Sequence, residues 1–467
     1  MRAIRYSDTR AEFLTFFEKG HFVKALHFLQ NLAALHGDTP EYILDLAETF
    51  WQLGEEGKAL ELLRILVERF PKFSAGWFIL GQRLMNYGAT EEGRMCFSQA
   101  LEIEPQSVVL RATIGQIDPV SPNSAQARYL KKSLQTDLPA SVKSEVLQAL
   151  ARAEECYGSP AKAFGYWKQM NRLIKGEFDV DQLARYVDLL DEIAADLPSA
   201  DPAWQMPKVV FICGMPRSGT TITESLLAQH PDTFAMGEHL CLCGPALLSG
   251  LPDFSHTDVA RLEKLRKLDR PMVEQLRWHF LGSLPKHTPA GKVLVTKMPA
   301  DAFSLWVARA VLPDLRILHM ERHPMDVGLS NFKLHFTTLV PYHAHLDKIG
   351  GVMRQTWRMR DINKRIFGDR MRVQSYRALV EDREAQMAEI LSFAGLSAAS
   401  DTPATTEEVR SVRTASVMQV REGVNTKGLD KWRLYERQLA PLLQALGGQA
   451  AVADWEAQDR ARSFRLP

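Results

Sequence analysis

Two hydrophobic rhythms divide this chain. Up to about residue 175, apolar positions recur at helical spacing in paired segments, and prolines close the pairs. Pro71, Pro105 and Pro139 stand 34 residues apart. From residue 208 onward, short β-rich runs alternate with amphipathic stretches. Residues 209–213, 293–296 (VLVT), 315–320 (LRILHM) and 371–375 (MRVQS) predict buried strands, whereas 221–229, 301–311 and 381–394 predict helices. Strands interleaved with helices imply a parallel sheet covered on both faces, with ligands outside the carboxyl ends of its strands. The stretch DLPSADPAWQMPK at 195–207 is rich in proline and polar residues and predicts a linker. The expected organisation is a helical domain over 1–175, a final helix and linker over 176–207, and an α/β domain over 208–467.

Within the first part, Trp77, Leu80, Gly81, Leu84, Gly93, Phe97, Ala100 and Pro105 have counterparts 34 residues earlier. These are Ile43, Leu46, Ala47, Phe50, Ala59, Leu63, Leu66 and Pro71. A further step back gives Phe16, Ala25, Leu29 and Leu32. Small residues at Gly81 and Ala47 let paired helices approach, large ones fill the groove, and the proline stops the second helix. The pattern resembles the tetratricopeptide repeat, which implies an all-α solenoid. A fourth unit near 107–139 has a degraded first helix containing Pro119 and Pro122, and a fifth spans about 142–175. Two roles stay open for the solenoid: a concave groove for a protein or peptide, or a brace for the second domain or a homodimer.

Charge narrows the partners. The 467 residues carry a formal net charge of +1, which argues against a bulk electrostatic partner such as nucleic acid or an anionic membrane. No apolar run is long enough for a membrane span, and the start lacks a signal-peptide core, so a cytoplasmic protein is expected. The five cysteines, at 96, 156, 213, 241 and 243, are scattered and read as reduced thiols. Any anion site must therefore be local.

Such a site is written at 208–221, KVVFICGMPRSGTT. Gly214 and Gly219 lie five apart, the spacing of a loop whose backbone N–H groups cradle a phosphate at a helix N-terminus. The lysine usual after the second glycine is replaced by Thr220, and Arg217 brings positive charge inside the loop instead. Arg217, Lys297, Arg322 and Tyr376 each follow a predicted strand, so four cationic or hydroxyl side chains converge on one sheet edge. Asp301 and Asp326 do not end apolar strands as magnesium ligands would, and His335, His343 and His345 are irregularly spaced for a metal site. Met353 and Trp357 read as core-facing helix positions, and the charged run 354–370 as a solvated helix face.

The segment PRSGTT, a Gly-Glu pair about 20 residues later and the Arg…Ser pair of RHPMDVGLS resemble the sulfotransferases that use 3′-phosphoadenosine 5′-phosphosulfate (PAPS). This resemblance implies a P-loop-type α/β fold with no metal. It assigns the 5′-phosphosulfate to Arg217, Ser218, Gly219, Thr220 and Thr221, and the 3′-phosphate to Arg322 and Ser330. SYRALVED at 375–382 resembles a further family segment and makes Tyr376 a nucleotide contact. Residues 417–443 resemble the closing segment of the tyrosylprotein sulfotransferases, with Arg421 and Lys427 as candidate phosphate contacts.

Sulfo transfer needs a base for the acceptor proton and cations for the leaving phosphate. Glu238 is the expected base, with His239 as its rival, and Lys297 and Arg217 the expected cations. A protein tyrosine is the favoured acceptor. The alternatives are a carbohydrate, lipid or small metabolite, or a repeat-based binding protein with a nucleotide-sensing domain.

Overall fold

The computed structural model describes residues 6–196, 199–238, 269–285, 288–334, 341–397 and 426–463. They form two compact units, one reaching Ala163 and the other beginning at Phe164.

The first unit is a succession of antiparallel helices: α1 (Tyr6–Glu18), α2 (Phe22–His36), α3 (Pro40–Gln52), α4 (Glu56–Arg69), α5 (Ser74–Tyr87), α6 (Thr90–Ile103), α7 (Val108–Ile117), α8 (Ala125–Ser133) and α9 (Ala140–Tyr157). The repeat positions do what their sizes dictate. A Cβ on Gly81 would stand 2.8 Å from the Phe97 ring and 3.0 Å from the Gly93 carbonyl, so only glycine allows α5 and α6 this approach. Leu29, Leu63, Leu66, Leu80 and Leu84 are buried in one continuous core. Polar ties join α3 to α1 and α5. Arg10 of α1 grips Asp45 through Nε at 2.7 Å and Nη2 at 2.8 Å, and Arg83 of α5 grips Glu48. The short α7 ends at Ile117, so Pro119 and Pro122 lie beyond that helix rather than inside it.

The division falls within α10 (Pro160–Asn171). Its later residues are built into the second unit: Phe164 stacks on Phe332 at 5.1 Å, and Asn171 Nδ2 donates to the Phe332 carbonyl at 2.9 Å. In α11 (Val180–Ile193) the Tyr186 hydroxyl donates to the Phe303 carbonyl at 3.0 Å. Residues 164–171 of α10 and helix α11 thus supply core to the α/β fold.

That fold runs β1 (Val209–Gly214), α12 (Thr220–Leu227), β2 (Thr233–Gly237), α13 (Arg270–Ser283), β3 (Val293–Lys297), α14 (Leu305–Val311), β4 (Arg316–Glu321), α15 (Pro324–Phe332), α16 (Leu346–Phe367), β5 (Met371–Ser375), α17 (Tyr376–Glu381), α18 (Arg383–Ala394), α19 (Ala440–Ala445) and α20 (Gly448–Ser463). The five strands are parallel in the order β2-β3-β1-β4-β5. Central β1 is buried at all six positions, as its unbroken apolar run requires. Register decides where the chemistry goes. Ile212 pairs with Lys297, Gly214 with Met320 and Glu321 with Ser375, which aligns the carboxyl ends of β1, β3, β4 and β5.

Two departures from the sequence expectation matter. Edge strand β2 was not foreseen, because TFAMG is short, lacks alternation and is buried fully only at Thr233. Helix α16 is not solvated throughout 354–370: Arg360 is buried and donates to Glu321 Oε1 at 2.7 Å.

Candidate active site

Loop 215–219 leaves β1 and enters α12 under tight steric rule. Gly219 has φ +107° and its Cα lies against Tyr376, where an added Cβ would come within 2.4 Å of the ring. Arg217 holds a left-handed backbone at φ +73°, a conformation that non-glycine residues adopt at some strain and often at ligand sites. The turn is pinned from outside. Asn331 Nδ2 of α15 donates to the Pro216 carbonyl at 2.9 Å, and Arg322 Nη1 donates to the Arg217 carbonyl at 3.2 Å. The first turn of α12 then presents the N–H groups of Thr220 and Thr221, which have no acceptor four residues back within the helix.

Around this loop the predicted phosphate residues do meet. Arg217 Nε donates to Ser330 Oγ at 3.0 Å, joining the two motifs across 113 residues of sequence. The Arg322 guanidinium lies 4.9 Å from the Tyr376 ring centre. Burial first, and the neighbouring Arg322 second, push the Arg217 guanidinium down to about 10, with Tyr376 acting against them. Ser218 Oγ and Arg322 Nε are buried without a hydrogen-bond partner among the described residues, beside a small cavity that Met353 and Trp357 help to line. Unused donors and crowded positive charge fit an anionic, phosphate-bearing ligand. Arg421 and His239 lie outside the described residues, as does the side chain of Lys427.

Further along the same sheet edge stands the expected base. Lys297, the last residue of β3, is 1% exposed and donates from Nζ to Glu238 Oε1 at 2.5 Å. Glu238 itself is half open to solvent. The turn that carries it is clamped in a way the sequence did not suggest. Glu224 of α12 accepts the Gly237 N–H at 2.8 Å, and Thr296 Oγ1 donates to the Gly237 carbonyl at 3.0 Å. The phosphate-loop helix, the lysine strand and the glutamate turn are therefore one hydrogen-bonded unit.

Other residues weighed for chemistry prove structural. Asp326 accepts the backbone N–H groups of Asp430 at 2.8 Å and Trp432 at 3.0 Å, which leaves its carboxylate committed to the 426–435 segment. That segment also lays the Gly428 carbonyl on Arg322 Nη2 at 2.5 Å. His343 is buried, and burial pushes its imidazole down to about 3; His335 lies outside the described residues. Cys96, Cys156 and Cys213 form no disulfide among the described residues, and Cys213 Sγ lies 3.5 Å from His319 Nδ1; Cys241 and Cys243 lie outside the described residues.

Comparison with known proteins points the same way. Residues 207–401 match the model described as the sulfotransferase family. An uncharacterized protein of Aquifex aeolicus is 24% identical over 424 residues, covering 88% of this chain and 55% of that protein. The nodulation protein NoeE of Sinorhizobium fredii is 28% identical over 136 residues, covering 27% of this chain and 31% of that protein. The chain thus spans about half or less of the length of these curated relatives. Among solved structures, the sulfotransferase domain of the Synechococcus PCC 7002 olefin synthase is 20% identical, covers 58% of this chain and 99% of its own, and has a TM-score of 0.37. Residues 207–401 thus match the sulfotransferase family, and the helical unit ahead of them is consistent with tetratricopeptide-like repeats.

Proposed function

We propose that this protein transfers a sulfo group from PAPS to an acceptor hydroxyl, and that the favoured acceptor is a tyrosine of a protein. The observation that carries the transfer is a division of labour along one sheet edge. Arg217, Ser330 and Arg322 gather at the phosphate loop, and a carboxylate–ammonium pair, Glu238 with Lys297, ends the neighbouring strands. The N-terminus of α12, with Ser218, Gly219, Thr220 and Thr221, would hold the 5′-phosphosulfate. Arg322, Ser330 and Tyr376 would hold the 3′-phosphate end.

Bound there, PAPS supplies an activated sulfo group. Glu238 takes the proton of the attacking hydroxyl as the new O–S bond forms and the S–O bond to the phosphate breaks. Lys297 and Arg217 stabilise the negative charge that gathers on the leaving phosphate. The resting pair adds a further link: once Glu238 is protonated, its hold on the Lys297 ammonium weakens, and that charge becomes available to the leaving group. The tyrosine acceptor draws support from the resemblance of 417–443 to the tyrosylprotein enzymes and from the repeat unit, whose helices would offer a surface for polypeptide. Among the described residues no helix is long and apolar enough to cross a membrane.

The test uses the full chain, sulfur-labelled PAPS and a cell extract. Label in protein, recovered as sulfotyrosine after digestion, is the expected outcome. Label confined to small molecules would move the acceptor to a carbohydrate, lipid or metabolite. No transfer and no release of the desulfated product, 3′-phosphoadenosine 5′-phosphate (PAP), would overturn the enzyme assignment.

A further inference from the structure

The last helix, α20, lies beyond the 207–401 family match, yet it reaches the residues around the predicted 3′-phosphate site. Three of its side chains, Glu456, Asp459 and Arg462, recur every third position and share one helix face. Each meets a different residue at or just beyond the end of β4 or β5. Arg462 Nη1 donates to Glu321 Oε2, and Glu456 Oε1 lies 2.9 Å from His323 Nε2. Asp459 Oδ2 accepts the Ser375 hydroxyl at 3.0 Å. Glu321 and His323 flank Arg322 in sequence, and Ser375 precedes Tyr376, whose ring lies beneath the Arg322 guanidinium.

These contacts are built rather than incidental. Glu321 is 5% exposed and sits between Arg360 and Arg462; burial opposes its ionisation, but the two guanidiniums prevail and hold its carboxyl below the usual range. His323 is fixed from three sides. Trp432 stacks on it at 5.2 Å, Trp455 of α20 meets it edge-on at 5.7 Å, and Glu456 takes Nε2. Ser375 also caps α17 by accepting the Ala378 N–H at 3.2 Å, so Asp459 orients the helix on which Tyr376 stands. Arg322 itself touches none of the three α20 side chains through any of its described hydrogen bonds, which go to the Arg217 and Gly428 carbonyls.

We propose that α20 is a positioning element for the 3′-phosphate end of the donor. Arg462, Glu456 and Asp459 lock both neighbours of Arg322 and the neighbour of Tyr376, and this lock sets the preference for a 3′-phosphorylated nucleotide. The inference rests on the PAPS assignment. Arg462 and Glu456 are positioning residues, acting on the ligand through Arg322.

The experiment measures PAP and ADP affinities of the full chain by calorimetry, for the natural protein, Arg462→Met and Glu456→Ala. Both variants should lower PAP affinity by about tenfold, the scale on which outer-shell partners act at other charged sites, and leave ADP nearly unchanged. Glu456→Ala separates positioning from simple charge. Removing a negative charge would tighten PAP through the field alone, whereas loss of the His323 anchor weakens it. Tighter PAP binding by Glu456→Ala would overturn the proposal, and so would equal weakening of PAP and ADP. An unchanged PAP/ADP ratio in both variants would overturn it while leaving the donor assignment standing. A natural protein that already binds the two nucleotides alike would instead remove the donor assignment itself. Should Arg462→Met fail to fold, Glu456→Ala decides alone, because its carboxylate is partly solvated and Glu321 keeps both guanidiniums.

Discussion

The pair formed by Glu238 and Lys297 is asymmetric, and the asymmetry predicts that activity and stability will separate. Lys297 is 1% exposed, whereas the Glu238 side chain retains 42% of its exposure. Glu238→Ala leaves an ammonium in the interior with its carboxylate gone. Breaking a fully buried pair in this way costs about 3–5 kcal/mol, and the solvated glutamate end reduces this to about 2 kcal/mol. For a unit of this size that is a fall in Tm of about 5 °C. Lys297→Met removes the buried charge and leaves a glutamate that can turn to water, so its Tm should stay within about 2 °C of the parent. Both variants should lose turnover by about 10²-fold or more, one lacking the base and the other the cation. The double variant Glu238→Ala/Lys297→Met should then be more stable than Glu238→Ala alone. Thermal scans followed by PAPS-dependent turnover on the same preparations measure all of this. If Lys297→Met destabilises as much as Glu238→Ala, the ammonium is a structural asset and the account of the pair is wrong.

Three further outcomes follow from the same geometry. Gly219→Ala would set a Cβ 2.4 Å from the Tyr376 ring at φ +107°, so PAP binding measured by calorimetry should weaken by more than about tenfold, and unchanged binding would show that the loop can rearrange. Arg322→Ala should remove a charge-assisted contact of about 1.5–3 kcal/mol, weakening PAP about tenfold or more with little effect on ADP. Burial pushes the Asp459 carboxyl up to about 6, the Ser375 hydroxyl and Arg462 and Arg377 acting against it and Glu321 with it. Because the folded value is raised, this proton stabilises the fold fully below the ordinary aspartate range, and the contribution is lost as pH rises through about 6. Denaturant unfolding of the natural protein relative to Asp459→Asn should therefore lose up to about 3 kcal/mol between pH 4 and pH 7, and a flat difference would refute the shift.

Much of the fold was legible because single residues dictated it. Gly81 opposite Phe97 and Gly93 admits no side chain, and the proline spacing marks where paired helices stop. Central strands announced themselves by unbroken apolar runs, since both faces of β1 are covered. Edge strand β2 gave no such sign, because only one of its five residues is fully buried and its placement comes from pairing with β3. The charged run 354–370 misled for a related reason. Charge reports exposure only when no partner is buried with it, and Glu321 meets Arg360 from 39 residues away.

The candidate site divides along the same line. Residues proposed to touch the donor sit in short local motifs, so Arg217, Ser218, Gly219 and Arg322 could be proposed without any structure. The groups that aim them are scattered. Asn331 holds the Pro216 carbonyl across 115 residues, and Arg462 holds Glu321 across 141. Glu224 lies only 13 residues before the Gly237 N–H it accepts, yet helix α12 has to turn the chain back before the two can meet. None of these partners has a spacing that chemistry imposes, because a side-chain hydrogen bond to a distant backbone group constrains geometry and not sequence distance. The phosphate loop shows why they are nevertheless indispensable to the argument. A left-handed Arg217 and a close-packed Gly219 are conformations that a free peptide would abandon, and their persistence requires the surrounding ties that only the folded chain supplies. The motif suggests an anionic ligand; the long-range ties determine whether its atoms stand where such a ligand could use them.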